Sequence, residues 1–394
     1  MAADYDSVFA MEPMMPEQGR AELEDLAVTL VEKASALAGQ VNPLVSRSIG
    51  DLVRSMNCYY SNLIEGHDTH PRDIERAMQN DYSADPKKRD LQLEARAHIE
   101  LQRIIDFDDA TWQVASADFV RWLHREFCSR LPEDLLWVEN PDTGEKVKVV
   151  PGEFRDGDVQ VGLHVPPAAE SIERFLARFE EVYAPDKLSR LRQVVAVAAS
   201  HHRLLWIHPF YDGNGRVARM HSHAYLKKIG VGSSLWSVSR GLARRVGDYK
   251  RLLMAADNPR QGDLDGRGNL SSKSLHEFCI FFLETCIDQV EFMEEMLKPT
   301  ELIRRIERYT GDAIHKKDLP KGSYQLLREA LHAGEFERGR AAEITGYKER
   351  QGRSVLNALL DKGLLVSDTQ RGPVRLGFPN EVVDWWFPRL YPVT

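Results

Sequence analysis

The stretch His208-Pro209-Phe210-Tyr211-Asp212-Gly213-Asn214-Gly215-Arg216-Val217-Ala218-Arg219 decides the reading of this chain. Glycines on both sides of Asn214 give the backbone conformations closed to bulkier residues, so successive N–H groups can turn toward one anion. The residues that follow read as a helix, whose N-terminus adds free N–H groups and a favourable dipole for phosphate. Asp212 is a hard oxygen ligand suited to Mg²⁺ shared with phosphates. Arg216 and Arg219 are three apart and reach the same side of a helix, each able to fork two hydrogen bonds to phosphate oxygens. His208 stands just ahead, and an imidazole with an ordinary pKa near ~6.5 suits a base at neutral pH.

Upstream, 188–207 reads as a helix that is apolar nearly all round through Val194–Ala199, as a central buried helix should be. Before it, 171–183 is a second helix. From Val159 to Val165 the odd positions are Val, Val, Leu, Val and the even ones polar or glycine, which is strand periodicity. Asp156-Gly157 is a hairpin signal, and Pro166-Pro167 ends the run. Helices are expected over 116–129, with Phe119, Trp122, Leu123 and Phe127 inward, and over 91–105. Another begins at Pro71 after Thr69-His70, and one from Pro43 to about Ile64 ends at Gly66 as C-cap. The helix over 20–40 repeats Leu23, Leu26, Leu30 and Val31 at helical spacing. Residues 1–19 lack periodicity and are expected to be a mobile tail. Downstream, helices run over 217–229, from Gly247-Asp248-Tyr249, and over 275–297.

A length of 394 residues allows two or three domains. The net charge of −8 makes the whole chain no general nucleic-acid binder, so any such role needs a local basic patch. Cys58, Cys128, Cys279 and Cys286 form no C-x-x-C pair and read as thiols of a reducing compartment. With no apolar run of membrane length and no signal peptide, a soluble cytoplasmic protein is expected. Asp263-Leu264-Asp265-Gly266-Arg267-Gly268-Asn269-Leu270 imitates the start of a calcium loop. Arg267 and Ser274 replace an acidic ligand and the bidentate Glu, so it reads as a polar connection. His201, His202, His221 and His223 lack the i,i+4 spacing of a shared metal and are expected in the core.

From about Glu301 the pattern changes to helices over 324–333, 339–347 and 349–362, then short apolar runs flanking Thr369-Gln370-Arg371-Gly372-Pro373. This resembles a winged helix-turn-helix domain. Arg350, Arg353 and Asn357 share one outward stripe, where a DNA reader needs them; a protein-docking module of the same fold is the alternative. Trp385, Trp386 and Phe387 are expected to seal a domain interface.

The opening stretch resembles, at every fixed position, the signature HxFx(D/E)GNGRxxR of Fic proteins. The resemblance implies a mainly α fold: a Fic-type helical core with a β-hairpin flap, plus the C-terminal winged-helix domain. It divides the chain into the tail 1–19, an N-terminal helical region 20–110 with an inhibitory helix, the core 111–298, the winged helix 299–380 and an aromatic tail 381–394. It implies transfer of AMP from ATP to a Ser, Thr or Tyr hydroxyl of a target protein. His208 is then the catalytic base and Asp212 the Mg²⁺ ligand. Gly213, Asn214, Gly215, Arg216 and Arg219 bind the phosphates. Tyr249 matches an aromatic that flanks adenine, with core packing as its alternative, and Lys250 stands where a second aromatic is common. Val159, Gln160, Val161 and Gly162 belong to the target-aligning flap. Ser61 and Glu65 resemble an inhibitory Ser-x-x-x-Glu-Gly motif in which Glu65 pairs with Arg219. Phosphotransferases of the superfamily carry Lys at the position of Gly215, so glycine favours nucleotide transfer. Alternatives are hydrolytic removal of AMP, and a DNA-binding regulator with a nucleotide-sensing core. The implied partners are a target protein and, through the winged helix, DNA or a protein, with no membrane; self-association stays open.

Overall fold

The computed structural model describes residues 7–107, 112–139 and 144–391. Among them sixteen helices and five short strands follow one another as α1 (Arg20–Gln40), α2 (Pro43–Ile64), α3 (Pro71–Met78), α4 (Pro86–Phe107), α5 (Ala117–Cys128), β1 (Trp137–Glu139), β2 (Lys146–Lys148), α6 (Ile172–Tyr183), α7 (Arg190–Ile207), α8 (Asn214–Lys228), α9 (Val238–Arg244), α10 (Val246–Ala255), α11 (Ser272–Leu297), α12 (Pro299–His315), α13 (Ser323–Ala333), β3 (Glu335–Phe336), α14 (Ala341–Thr345), α15 (Glu349–Asp361), β4 (Leu365–Val366), β5 (Val374–Leu376) and α16 (Asn380–Trp386). The fold is mainly α. It divides into two compact units: one holds the residues up to Ala34 with Asn57–Ser233 and Ser237–Gln289, the other Ser35–Met56, Ser234–Trp236 and the chain from Val290 onward.

At the centre of the first unit α7 packs on α8, with α6 against α7 and both α4 and α5 against α8. Every residue of α7 from Val194 to Leu204 is buried, as are Arg216 to Leu226 of α8. Such helices have no polar face, so their His, Ser and Arg side chains must find partners inside. They do: His201 bonds Ser222 and Tyr249, His221 meets the Val114 carbonyl, His202 pairs with Asp257 at 3.1 Å and His223 with Asp106 at 2.7 Å. All four cysteines are free and buried.

Two expectations change. Residues 7–19 are no mobile tail. Met11 and Met14 are buried, Arg203 donates to the Pro13 carbonyl at 2.8 Å, and the Tyr183 hydroxyl donates to the Met14 carbonyl. The expected hairpin over 159–165 is a single bridge between Val161 and His164, its two hydrogen bonds 2.9 and 3.0 Å, around Gly162 at φ 61°. Among the described residues no sheet face lies behind it for the alternating residues to bury, and Leu163 is 96% exposed. The paired ribbon of this region lies earlier, where β1 and β2 run antiparallel with Val138 opposite Val147. In the imitation calcium loop, Asp265 accepts the backbone N–H groups of Gln261 and Lys273 at 2.9 and 2.8 Å, which makes it a loop brace.

In the second unit α13, α14 and α15 pack together beside a three-stranded antiparallel sheet of order β3-β5-β4. Val355, Leu356 and Leu359 form the inward face of α15, while Arg350, Arg353 and Asn357 are exposed. Trp386 and Phe387 are buried within this unit, Trp386 against Tyr309 and both against Phe378. They complete its own core and form no separate tail; Trp385 is exposed. Among the described residues no helix is long and apolar enough to cross a membrane.

Candidate active site

The site begins where α7 stops. His208 closes that helix in the left-handed region, at φ 49° and ψ 61°, and its N–H still donates to the Leu204 carbonyl at 3.1 Å. A non-glycine residue there is strained and must be held by its surroundings. Arg155 holds it. Its side chain is fully buried: Nε donates to the His208 carbonyl at 2.9 Å, Nη1 to that of Gly157 at 2.9 Å, and Nη2 to that of Pro167. The Arg155 N–H also donates to the Pro209 carbonyl at 2.9 Å. One guanidinium therefore ties the signature loop to the segments before and after the flap. Burial first, then the charges of Arg155 and His164, push the His208 imidazole down to about 4, so it is neutral and proton-accepting through the physiological range.

Beyond His208 the loop closes on itself. Asn214 Oδ1 accepts the Phe210 N–H at 3.0 Å, and Asn214 Nδ2 donates to the Phe210 carbonyl at 2.8 Å. The Asn214 side chain thus shapes the loop, leaving its backbone N–H as the group able to meet a phosphate. His124 stacks on the Phe210 ring with centroids 3.8 Å apart, accepts the Gly152 N–H on Nδ1 at 2.9 Å and bonds the Asp212 backbone. Burial drops its pKa to about 4 as well. Gly213, at φ 79°, is the N-cap of α8, and no side chain caps the helix. The first N–H groups of α8 are therefore without helical acceptors, the arrangement that receives an anion.

Asp212 is exposed, and its Oδ1 accepts the Gly213 N–H at 2.6 Å. Among the described residues no group of three or more His, Cys, Asp or Glu is poised to hold a metal. A lone carboxylate beside an anion cradle fits Mg²⁺ of the kind that takes its other ligands from phosphate and water.

Both signature arginines are buried and engaged. Arg219 Nη2 contacts Glu65 Oε1 at 2.5 Å, while its Nε donates to Ser61 Oγ at 2.9 Å. Glu65 is placed by the end of α2: the Gly66 N–H returns to the Leu63 carbonyl at 3.1 Å and the His67 N–H to that of Asn62 at 2.9 Å, with Gly66 at φ 86°. This pair of hydrogen bonds is the Schellman cap that the glycine anticipates. Burial raises the Glu65 carboxyl, but the charge and hydrogen bond of Arg219 outweigh it, and its pKa falls below the usual value. A methyl group on Gly215 would lie 2.5 Å from Glu65 Oε1, so Glu65 sits in space that only glycine leaves open.

Arg216 Nη2 donates to Glu94 Oε2 at 2.8 Å, with His67 Nδ1 3.2 Å from Nη2 and 3.0 Å from Oε2. The guanidinium lies over the Phe127 ring at 5.2 Å. Tyr249 is buried, with its hydroxyl 2.8 Å from His201 Nε2, which is the core-packing alternative; no face of its ring is open to a base in this arrangement. Val161 and Gly162 are exposed, and Gln160 is tied to the Gly162 carbonyl at 2.9 Å. Reading the sequence missed Arg155, His124, His67 and Glu94. The available signals were a lone arginine in the Gly152–Gly157 turn and a histidine two residues past Glu65.

The HPFYDGNGRVAR loop thus lies between two buried helices, with both arginines turned inward. Residues 114–226 match the family described as Fic/DOC. It is 31% identical over 172 residues to the protein adenylyltransferase Fic of Nematostella vectensis, covering 44% of this chain and 37% of that one. To the protein of the same name from Drosophila erecta it is 35% identical over 98 residues, covering 25% of this chain and 20% of the other. The matched region thus spans well under half of these relatives. Among solved structures it is similar to Fic-1 of C. elegans, with a TM-score of 0.54 at 14% identity over 71% of this chain and 74% of that one. A Fic family protein of Desulfovibrio desulfuricans G20 gives a TM-score of 0.50 at 17% identity over 90% and 96%. These last two likenesses concern the fold.

Proposed function

We propose that this chain is a protein adenylyltransferase, moving AMP from ATP to a Ser, Thr or Tyr hydroxyl of a target protein and restrained by Glu65. The observation that carries the reading is a neutral, proton-accepting His208 beside the uncapped start of α8, with Arg216 and Arg219 on that same helix. The names of the curated relatives support it. His208 takes the proton of the target hydroxyl as its oxygen attacks the α-phosphorus. The bond from that phosphorus to the bridging oxygen breaks, and pyrophosphate departs toward the arginines. Mg²⁺, held by Asp212 and phosphate oxygens, would supply charge neutralisation when bound. Glu65 competes with phosphate for Arg219, so the resting site disfavours the productive pose of ATP.

The test is labelling with α-labelled ATP and Mg²⁺ in the presence of cell lysate. Glu65→Gly is expected to raise labelling at least about tenfold, the ratio that ~1.4 kcal/mol of lost competition gives. Arg219→Ala combined with it is expected to be inactive. Equal labelling by the parent and Glu65→Gly rejects the restraint.

A second reading concerns the C-terminal unit, where Arg350 and Arg353 on α15 are exposed, as is Arg371 between β4 and β5. They support contact with DNA. Affinity that falls steeply with salt and weakens in Arg350→Ala or Arg353→Ala is the expected result; no binding at low salt leaves protein docking.

A further inference from the structure

Each signature arginine is matched to a carboxylate, but the two carboxylates come from different elements. Glu65 lies at the end of α2, on a segment turned by a glycine cap, whereas Glu94 lies inside α4, which packs directly on α8. We propose that Glu94 is a positioning residue for nucleotide: it aims the Arg216 guanidinium while holding ATP affinity below what that arginine alone would give. The inference rests on the adenylyl-transfer reading above.

The Arg216 and Glu94 side chains are 8% and 12% exposed, and their 2.8 Å contact joins two packed helices. The carboxylate fixes one terminal nitrogen, and the Phe127 ring supports the guanidinium plane at 5.2 Å. Two contacts from different directions remove most of the rotation of a long side chain. Arg216 Nε is buried with no partner, although a guanidinium has five N–H donors to satisfy. The arginine is therefore held yet incompletely satisfied, as a group awaiting an anion would be. His67 Nδ1 lies within reach of both members of the pair. One ring nitrogen cannot accept from Arg216 and donate to Glu94 at once, so His67 is the exchangeable third partner and Glu94 the constant one. A carboxylate that shares a guanidinium with a polyphosphate repels it. Glu94 consequently gives geometry at the expense of affinity, while Glu65 acts on the other arginine.

The substitutions separate these two effects. In Glu94→Gln the amide still offers an oxygen to Nη2, but the negative charge is gone. In Glu94→Ala both are gone. Steady-state transfer is measured in the full chain carrying Glu65→Gly, alongside calorimetric ATP binding and a thermal melt of each variant. Glu94→Gln is expected to lower KM for ATP and tighten ATP binding about tenfold. Glu94→Ala is expected to lower kcat about tenfold or more, and Glu94→Gln to recover most of that loss. An ion pair with a structural role alone would lower the melting temperature and leave KM and kcat of the folded enzyme unmoved; that result, or weaker ATP binding by Glu94→Gln, overturns the proposal. If Glu65→Gly labels nothing, the transfer reading has failed instead, and ATP binding by Glu94→Gln in the parent chain still decides the affinity half of the inference.

Discussion

The signature loop and the flap are neighbours with opposite constructions. The loop from His208 to Gly213 is held by side chains that bond its own backbone: Asn214 at Phe210, Arg155 at His208 and His124 at Asp212. The flap has one backbone bridge, and its tip residue Leu163 projects almost entirely into solvent. A loop that must present a base and an anion cradle at fixed positions needs preorganisation, which buried polar bonds provide. A segment proposed to pair with the backbone of another protein must keep its own N–H and C=O groups available, and a well-formed hairpin behind it would add little.

The largest effect expected from this contrast is on the chemistry. His208→Ala in the Glu65→Gly background should reduce labelling ~10²–10⁴-fold, the usual worth of a general base, while calorimetry still shows ATP binding. Retained labelling would mean that the loop presents a different base. Next comes the tie between loop and flap. Arg155→Met leaves several buried carbonyls without a charged donor and should cost about 3 kcal/mol in chemical denaturation. A loss below about 1 kcal/mol would show that the loop keeps its shape without the tie.

A third expectation concerns pH. The base form of His208 is the neutral one, and its pKa is lowered to about 4. The kcat/KM profile, which reports the free enzyme, should therefore rise through about pH 4 and show no half-point near the ordinary imidazole value of ~6.5. An acid limb centred near ~6.5 would show that His208 is solvated in the free enzyme. The smallest effect on the fold belongs to the flap: Leu163→Ser should change stability by less than about 0.5 kcal/mol. Its labelling of a folded target should nonetheless fall relative to its self-labelling, if the tip meets the target.

The loop was legible in the sequence because its determinants are local. The αL turn at Gly213, the start of α8 and the Gly66 cap each follow from a residue type at a fixed offset. Ser61 and Glu65 reach one arginine because they are a helical turn apart. Arg155 and Glu94 were not legible, since their partners lie 53 and 122 residues away, and one of those partners is a backbone carbonyl that carries no sequence mark. The residues at 7–19 were missed for the same reason: their partners are distant in sequence, with Arg203 and Tyr183 meeting their carbonyls and Arg178 meeting Glu12. In the flap the alternation was real but misleading, because period-two patterning means a strand only where a face exists to bury it.

The missing side chain at Gly215 has a consequence for anyone redesigning this protein. The Glu65 oxygen occupies the place that a methyl group there would need, 2.5 Å from the ideal Cβ. Alanine at 215 would act as a wedge: it would crowd the carboxylate out of its contact with Arg219. A change of activity in such a variant would then report on the Glu65–Arg219 pair as well as on the loop, because one added carbon atom disturbs both. The glycine is shared ground, and its smallness leaves room for a carboxylate from one helix beside a guanidinium from another.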